Sequence, residues 1–142
     1  MTIFIDGDGC PVVDITIRLA AEAKVDCVII CDTAHIFDKP GAKTITVSKG
    51  NDSVDFTLVN LVAKGDIAVT QDYGLAAMCL ARGAVPINQN GMVFNDNNMD
   101  SLLMQRHIGK RIRIAGRRLK GPAKRTKAQN QAFEEKLREL LQ

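Results

Sequence analysis

The chain has 142 residues, of which 46% are hydrophobic and 25% charged, so it is long enough for one domain with a buried core. It has no apolar run long enough to cross a bilayer, and a strand-like segment stands where a signal peptide would have a basic stretch and an apolar core. Its four cysteines form no Cys-x-x-Cys pair, which favours buried thiols in a reducing compartment. We therefore predict one domain over residues 1–142, located in the cytoplasm and not bound to a membrane.

The net charge of +3 conceals an uneven distribution of charge along the chain. Residues 1–100 carry seven Lys or Arg and thirteen Asp or Glu, whereas residues 101–142 carry twelve cations and three acids. An acidic body with a basic C-terminal region suits an enzyme that holds cations at its centre and a polyanion at its rim.

The first predicted element is a short strand that leads directly into two carboxylates. Residues 2–5 are β-branched or aromatic, as in a strand buried on both faces of a parallel sheet, and Asp6 follows at its carboxyl end. Asp8 stands between two glycines, and Pro11 is predicted to begin a helix over residues 11–24. Two carboxylates at such a corner would attract a divalent cation, although the same residues also form turns and cap helices.

The remaining elements alternate between strand and helix. Further strands are predicted at residues 25–31, 43–48, 67–70 and 84–88, with a short extra strand at 92–95. Two more helices are predicted, one opening at residues 50–53 and ending near residue 65, the other over residues 75–82. This order predicts an α/β fold with three layers, α/β/α, around a mainly parallel central sheet.

The C-terminal region, from about residue 99 to 142, is predicted to be a basic helix-loop-helix. A helix begins at Met99, residues 116–124 contain two glycines and a proline, and Thr126 caps a last helix whose Phe133 and Leu137 pack on the body. The segment from Arg106 to Lys127 contains ten cations and no acid, so we expect it to bind nucleic acid, with RNA as the expected partner. The predicted contacts are Arg106, Lys110, Arg113, Arg117, Lys124 and Arg125. The alternative is a solvated basic face that neutralises the acidic body.

Acids that follow strands or open helices are predicted to meet at one edge of the sheet. Each of them also has a plain structural interpretation as a helix cap or turn residue. Grouped carboxylates repel one another unless cations are bound, and oxygen ligands without His or Cys favour Mg²⁺ or Mn²⁺. The predicted metal ligands are Asp6, Asp52, Asp55 and Asp72. In hydrolysis of a phosphodiester, Asp6 and Asp72 would hold the metal, and Asp8 or Asp55 would orient the attacking water.

Four segments of the chain resemble the YaiI/YqxD family of bacterial proteins, whose members resemble PIN-like nucleases in fold. These segments are residues 5–11, 50–55, 69–76 and 121–126. The resemblance implies a PIN-like fold in which a carboxylate cluster binds Mg²⁺ or Mn²⁺ and hydrolyses RNA. By position, Asp6 matches the acid of the first strand, Asp52 or Asp55 the helix acid, and Asp72 the acid of a Thr-x-Asp pattern. A further acid expected after the next strand is missing, and Asn88 stands nearest to its place.

Two other functions remain open. Residues 5–9 also resemble the first motif of haloacid-dehalogenase-like phosphatases, in which Asp6 would be the nucleophile, but Cys10 and Pro11 depart from that motif and no later lysine motif follows. The other alternative is a non-catalytic RNA-binding module with a degenerate acidic site. His35 and His107 lack a second His or Cys at zinc-ligand spacing, and Tyr73 is predicted to pack at the rim of the site rather than to stack on a base.

Overall fold

The computed structural model describes residues 1–32, 38–50, 53–101, 104–105 and 124–142, which form an α/β fold. Its elements are β1 (Thr2–Asp6), α1 (Val13–Ala23), β2 (Asp26–Asp32), β3 (Lys43–Val47), α2 (Ser53–Leu61), β4 (Ile67–Val69), α3 (Tyr73–Ala81), β5 (Val85–Ile87), a helical segment α4 over residues 96–101, and α5 (Lys127–Leu141). No helix in the described ranges is long and apolar enough to cross a membrane.

The five strands pair in the order β3-β2-β1-β4-β5, and all four pairings are parallel. In register, Asp6 lies opposite Ile30 of β2, and Ile5 lies opposite Val69 of β4. From β1 the chain passes to β2 and β3 on one side and then returns to β4 and β5 on the other side of β1. The connections that follow β1 and β3 therefore leave the sheet in opposite directions, and the switch point lies between β1 and β4. Sheets of this kind bind ligands at the carboxyl ends of the strands beside such a switch point.

Alternate residues of the strands face two separate cores. Ile3, Ile5 and Ile29 pack with α1 and with Phe133 and Leu137 of α5 on one face of the sheet. The opposite face packs Phe4, Ile30 and Ala68 against α2 and α3. The predicted α/β/α fold with a parallel sheet is therefore confirmed.

The predicted element bounds need small corrections, and one predicted strand is wrong. Helix α1 begins at Val13 rather than Pro11, because Val12 has φ −119° and ψ 22° and is its N-cap. β2 begins at Asp26, since Lys24 ends α1 with a left-handed φ of 57°. Residues 92–95 form no strand in the described structure; Val93 makes only an isolated antiparallel bridge to Ile87.

Helix α5 covers one face of the body and is well anchored. Thr126 and Gln129 form a capping box at its start, which confirms the predicted cap. Along its length, Arg138 pairs with Glu22 of α1 at 2.9 Å, and Gly91 lies so close that a Cβ there would be 2.5 Å from the Ala132 carbonyl oxygen. The loop after β5 is thus held directly under α5. The basic helix and loop predicted over residues 106–123 lie outside the described residues.

Candidate active site

A cleft of about 470 Å³ opens at the carboxyl edge of the sheet, beside the switch point between β1 and β4. Segments that are far apart in sequence line it: the corner after β1, the end of β2, the first turn of α2, the corner after β4 and the residue two positions beyond β5. Its acidic residues are Asp6, Asp8, Asp32, Asp55 and Asp72. The structure thus brings together four of the five predicted acids, and Asp52 lies outside the described residues.

A relay of hydrogen bonds fixes the carboxylates at the ends of β1 and β4. The Thr70 hydroxyl donates to Asp6 Oδ2 at 3.0 Å and accepts from the Asp72 backbone N–H at 3.0 Å. Asp72 Oδ1 in turn accepts from the Leu75 N–H at 3.1 Å and so caps α3, as one interpretation of the sequence predicted. Gly74 leaves room for that carboxylate, since a Cβ there would lie 3.2 Å from Asp72 Oδ1. Asp72 therefore both caps a helix and lines the cleft.

The environment of Asp6 disfavours its negative charge. Burial is the main cause and raises the pKa of Asp6 to about 6, against the opposing effect of the Thr70 hydrogen bond. Nearby negative charges raise this pKa further, in the order Asp55, Asp8 and Asp72. At neutral pH the carboxylate is thus ionised at a free-energy cost that a bound cation would relieve.

The donors in the cleft fit Mg²⁺ or Mn²⁺ by their chemistry, because the lining acids offer hard oxygen ligands. Within the described residues, no group of three or more His, Cys, Asp or Glu is assembled to hold a metal ion. Mg²⁺ commonly needs only one or two carboxylates, with water and substrate phosphates completing its coordination. The described acids fit that mode of binding rather than a preformed cage made of protein ligands alone.

Cys10 lines the cleft but is poorly suited to act as a nucleophile. Burial raises the pKa of its thiol to about 11, and the Asp6 charge raises it further, while a backbone hydrogen bond and Arg125 oppose the change. The thiol therefore stays protonated at neutral pH. None of the four cysteines, which all lie in described segments, forms a disulfide, as the sequence predicted.

The turn after β5 places Gln89, and not Asn88, in the cleft. Asn88 Oδ1 accepts from the backbone N–H groups of Asn90 and Met92, both at 2.9 Å, so its side chain shapes the turn. Of these two residues, Gln89 is thus the one whose side chain is available to the cleft.

Two of the predicted nucleic-acid contacts lie in the described part of the chain. Lys124 is exposed. Arg125 instead donates Nε to Asn130 Oδ1 at 2.7 Å, Nη1 to Asn90 Oδ1 at 2.8 Å, and Nη2 to the Gln89 carbonyl oxygen. Its guanidinium thus joins the start of α5 to the turn after β5. The other predicted contacts lie outside the described residues, namely Arg106, Lys110, Arg113 and Arg117.

Sequence reasoning missed several polar residues of the cleft, among them Asp32, Thr70 and Gln89. Asp32 is the last residue of β2, next to β1, so the rule that carboxyl ends share one edge would have found it. Tyr73 packs edge-to-face on Phe94 with ring centroids 5.8 Å apart, which confirms its predicted packing role.

Comparisons with known proteins match almost the whole chain. A profile of the family described as "Uncharacterized BCR, YaiI/YqxD family" matches residues 4–142. The UPF0178 protein of Exiguobacterium sibiricum is 55% identical over 141 residues, 99% of this chain and 96% of that protein. The UPF0178 protein of Clostridium acetobutylicum is 44% identical over 143 residues, 99% of this chain and 97% of that protein. Among solved structures, Rae1 (YacP) from Bacillus subtilis is similar with a TM-score of 0.45 and 15% identity, over 81% of this chain and 83% of that chain.

Proposed function

The chain belongs to the YaiI/YqxD family. From the geometry of the cleft and the resemblance of this family to PIN-like nucleases, we propose that the chain is a metal-dependent nuclease of the PIN-like type that hydrolyses RNA phosphodiesters. One observation carries the proposal. A partly buried carboxylate, Asp6, lies at the switch point of a parallel sheet, and the charges of three neighbouring acids help to raise its pKa to about 6. An arrangement so unfavourable for an isolated protein is typical of a functional site.

The cleft favours a metal-assisted reaction because its described lining contains no lysine or arginine. The charge that a phosphodiester develops in the transition state must be stabilised, and in a cleft lined by acids a bound cation can do this. Mg²⁺ or Mn²⁺, held by Asp6 and Asp72, would neutralise that charge and lower the pKa of a bound water. A lysine expected for a haloacid-dehalogenase-like phosphatase is likewise missing from the described lining.

The side chains divide the work in the proposed reaction. Thr70 holds one oxygen of Asp6, and the Leu75 N–H holds one oxygen of Asp72, so both carboxylates keep their direction when a ligand binds. Asp8 or Asp55 accepts a proton from the attacking water and orients it toward the phosphorus. Pre-set carboxylates reduce the reorganisation needed in the transition state.

We also propose that the basic C-terminal region holds the RNA. The support is the sequence of residues 106–127, which has ten cations and no acid, together with the exposure of Lys124. Arg125 does not share this role, because three of its nitrogens already donate hydrogen bonds within the protein. Phosphate contacts of this kind fix the strand without reading its sequence.

The test measures RNA cleavage, hydrolysis of small phosphate monoesters and RNA binding by the purified chain. Each is measured with Mn²⁺, with Mg²⁺ and with EDTA. We expect cleavage of unstructured RNA with either metal, none in EDTA, and no hydrolysis of small phosphate monoesters. Monoester hydrolysis with a phosphoenzyme on Asp6 would replace the proposal with a phosphatase. Binding of RNA without cleavage under every condition would leave a non-catalytic RNA-binding module.

A further inference from the structure

Gln89 is a residue of the cleft to which the sequence assigned no role. We propose that its side-chain amide oxygen accepts a hydrogen bond from a hydroxyl group at the reacting centre, and that Arg125 is the positioning residue that holds it there. This inference rests on the proposed hydrolysis of RNA and names a contact within the same site.

The Gln89 side chain has a hydrogen-bond acceptor at the cleft with no donor among the described residues. It lines the cleft together with the acids, and its Oε1 atom is buried. No group in the described structure donates a hydrogen bond to that oxygen. Buried polar atoms in folded proteins are nearly always hydrogen-bonded, either within the protein or to ordered water, so this acceptor beside the cleft is open to a donor from water or from a ligand.

The backbone that carries this side chain is rigidly fixed. The Arg125 guanidinium donates to the Gln89 carbonyl oxygen and, at 2.8 Å, to Asn90 Oδ1, the next side chain along the turn. Its third nitrogen is bound at 2.7 Å to Asn130 of α5. Because the guanidinium is planar, its three hydrogen bonds fix both the distance and the orientation of the turn relative to α5. A lysine ammonium lacks this planar geometry and would fix only the distance. Gln89 therefore extends from a support that is in place before any ligand binds.

The chemistry of the cleft limits the donors that can reach Gln89 Oε1. The carboxylates are acceptors when ionised, and so are the non-bridging oxygens of a phosphodiester, so neither can donate to Gln89 Oε1. Two donors remain at the reacting centre of an RNA: the attacking water and the ribose 2′-hydroxyl. Both present an O–H group, and a neutral amide can accept from either without adding to the negative charge that already surrounds Asp6.

The first experiment measures kcat and KM of Gln89→Met on an RNA with one cut site. Methionine preserves the size of the side chain and removes the acceptor. We expect kcat to fall about tenfold, the value of one neutral hydrogen bond, with KM little changed. The melting temperature should not fall, because no hydrogen bond within the described protein is lost. Gln131→Met, the same change at an exposed position of α5, should leave both constants unchanged.

A second substrate with a 2′-deoxy nucleotide at the cut site identifies the donor. If the deoxy substrate slows the wild type but slows Gln89→Met no further, the donor is the ribose hydroxyl. If the two losses multiply, the donor is the attacking water. An active wild type with an unchanged kcat in Gln89→Met overturns this inference alone. A wild type that cleaves no RNA in any metal overturns the proposed function and this inference with it.

The role of Arg125 is tested with Arg125→Lys, which keeps the charge and loses the planar fork. We expect kcat to fall by a factor similar to that of Gln89→Met. The double variant should be no slower than the slower single variant, because Arg125 acts through Gln89. Losses that multiply, or a lower melting temperature with kcat unchanged, would contradict the positioning role.

Discussion

Replacing Asp6 with asparagine should stabilise the protein, and the gain should depend on pH. Its surroundings raise the pKa of Asp6 from an ordinary 3.8 to about 6, so the folded state binds its proton more tightly than the unfolded state does. Wild-type stability must therefore fall as pH rises between these two values. At about 1.4 kcal/mol for each pKa unit, the full cost at pH 8 is about 3 kcal/mol, most of which is absent at pH 4. Asparagine has no charge, so it avoids this cost.

Urea denaturation of the wild type and Asp6→Asn, in buffer with EDTA to remove metal ions, measures this pH-dependent difference in stability. The free energy of unfolding of Asp6→Asn should exceed that of the wild type by about 2 kcal/mol more at pH 8 than at pH 4. The measurement at pH 4 is an internal control, since changes in packing and in the Thr70 hydrogen bond enter at both pH values. Added Mn²⁺ at pH 8 should stabilise the wild type and not the variant. A relative stability that does not change with pH would show that the surroundings of Asp6 do not destabilise its carboxylate.

Two further predictions concern the docking of α5 and the basic region. Gly91 and Gly65 have nearly the same φ, +86° and +88°, but a Cβ on Gly91 would lie 2.5 Å from Ala132 whereas one on Gly65 would have nothing within 4 Å. In urea denaturation, backbone strain should lower the free energy of unfolding of both alanine variants by about 1–2 kcal/mol. The clash with α5 should lower that of Gly91→Ala by about 1–3 kcal/mol more. Equal losses would show that α5 does not pack tightly on this turn. A variant with three cations of the basic segment replaced by Gln should flatten the slope of log RNA affinity against log salt by about two, and an unchanged slope would place the RNA elsewhere. The three cations are Arg106, Lys110 and Arg113.

The fold and the position of the cleft could be predicted from local sequence patterns. Apolar segments followed by acid or glycine predict strands that end at one edge, and the alternation with helices predicts parallel pairing. Asp6, Asp55 and Asp72 could be assigned to one site on that basis, because carboxyl ends of strands and N-termini of helices share an edge in such sheets.

The contacts made by the turn after β5 could not be predicted in the same way. Whether Asn88 or Gln89 faces the cleft depends on the side-chain hydrogen bonds of Asn88 to Asn90 and Met92, which close the turn. Arg125 stands in a run of cations and has the same appearance in sequence as its neighbours. Only the packing of α5 against the loop shows that its charge is used within the protein.

The rate of RNA cleavage in Mn²⁺ shows whether the acidic cleft hydrolyses RNA with the help of a metal. The decisive comparison is between Asp6→Asn and Asp26→Asn, the same substitution at an exposed position at the opposite end of the sheet. We expect Asp6→Asn to lose about a hundredfold or more in rate while still binding RNA, and Asp26→Asn to keep the wild-type rate. Cleavage that survives in Asp6→Asn, or that continues in EDTA, would contradict the proposed metal-dependent reaction.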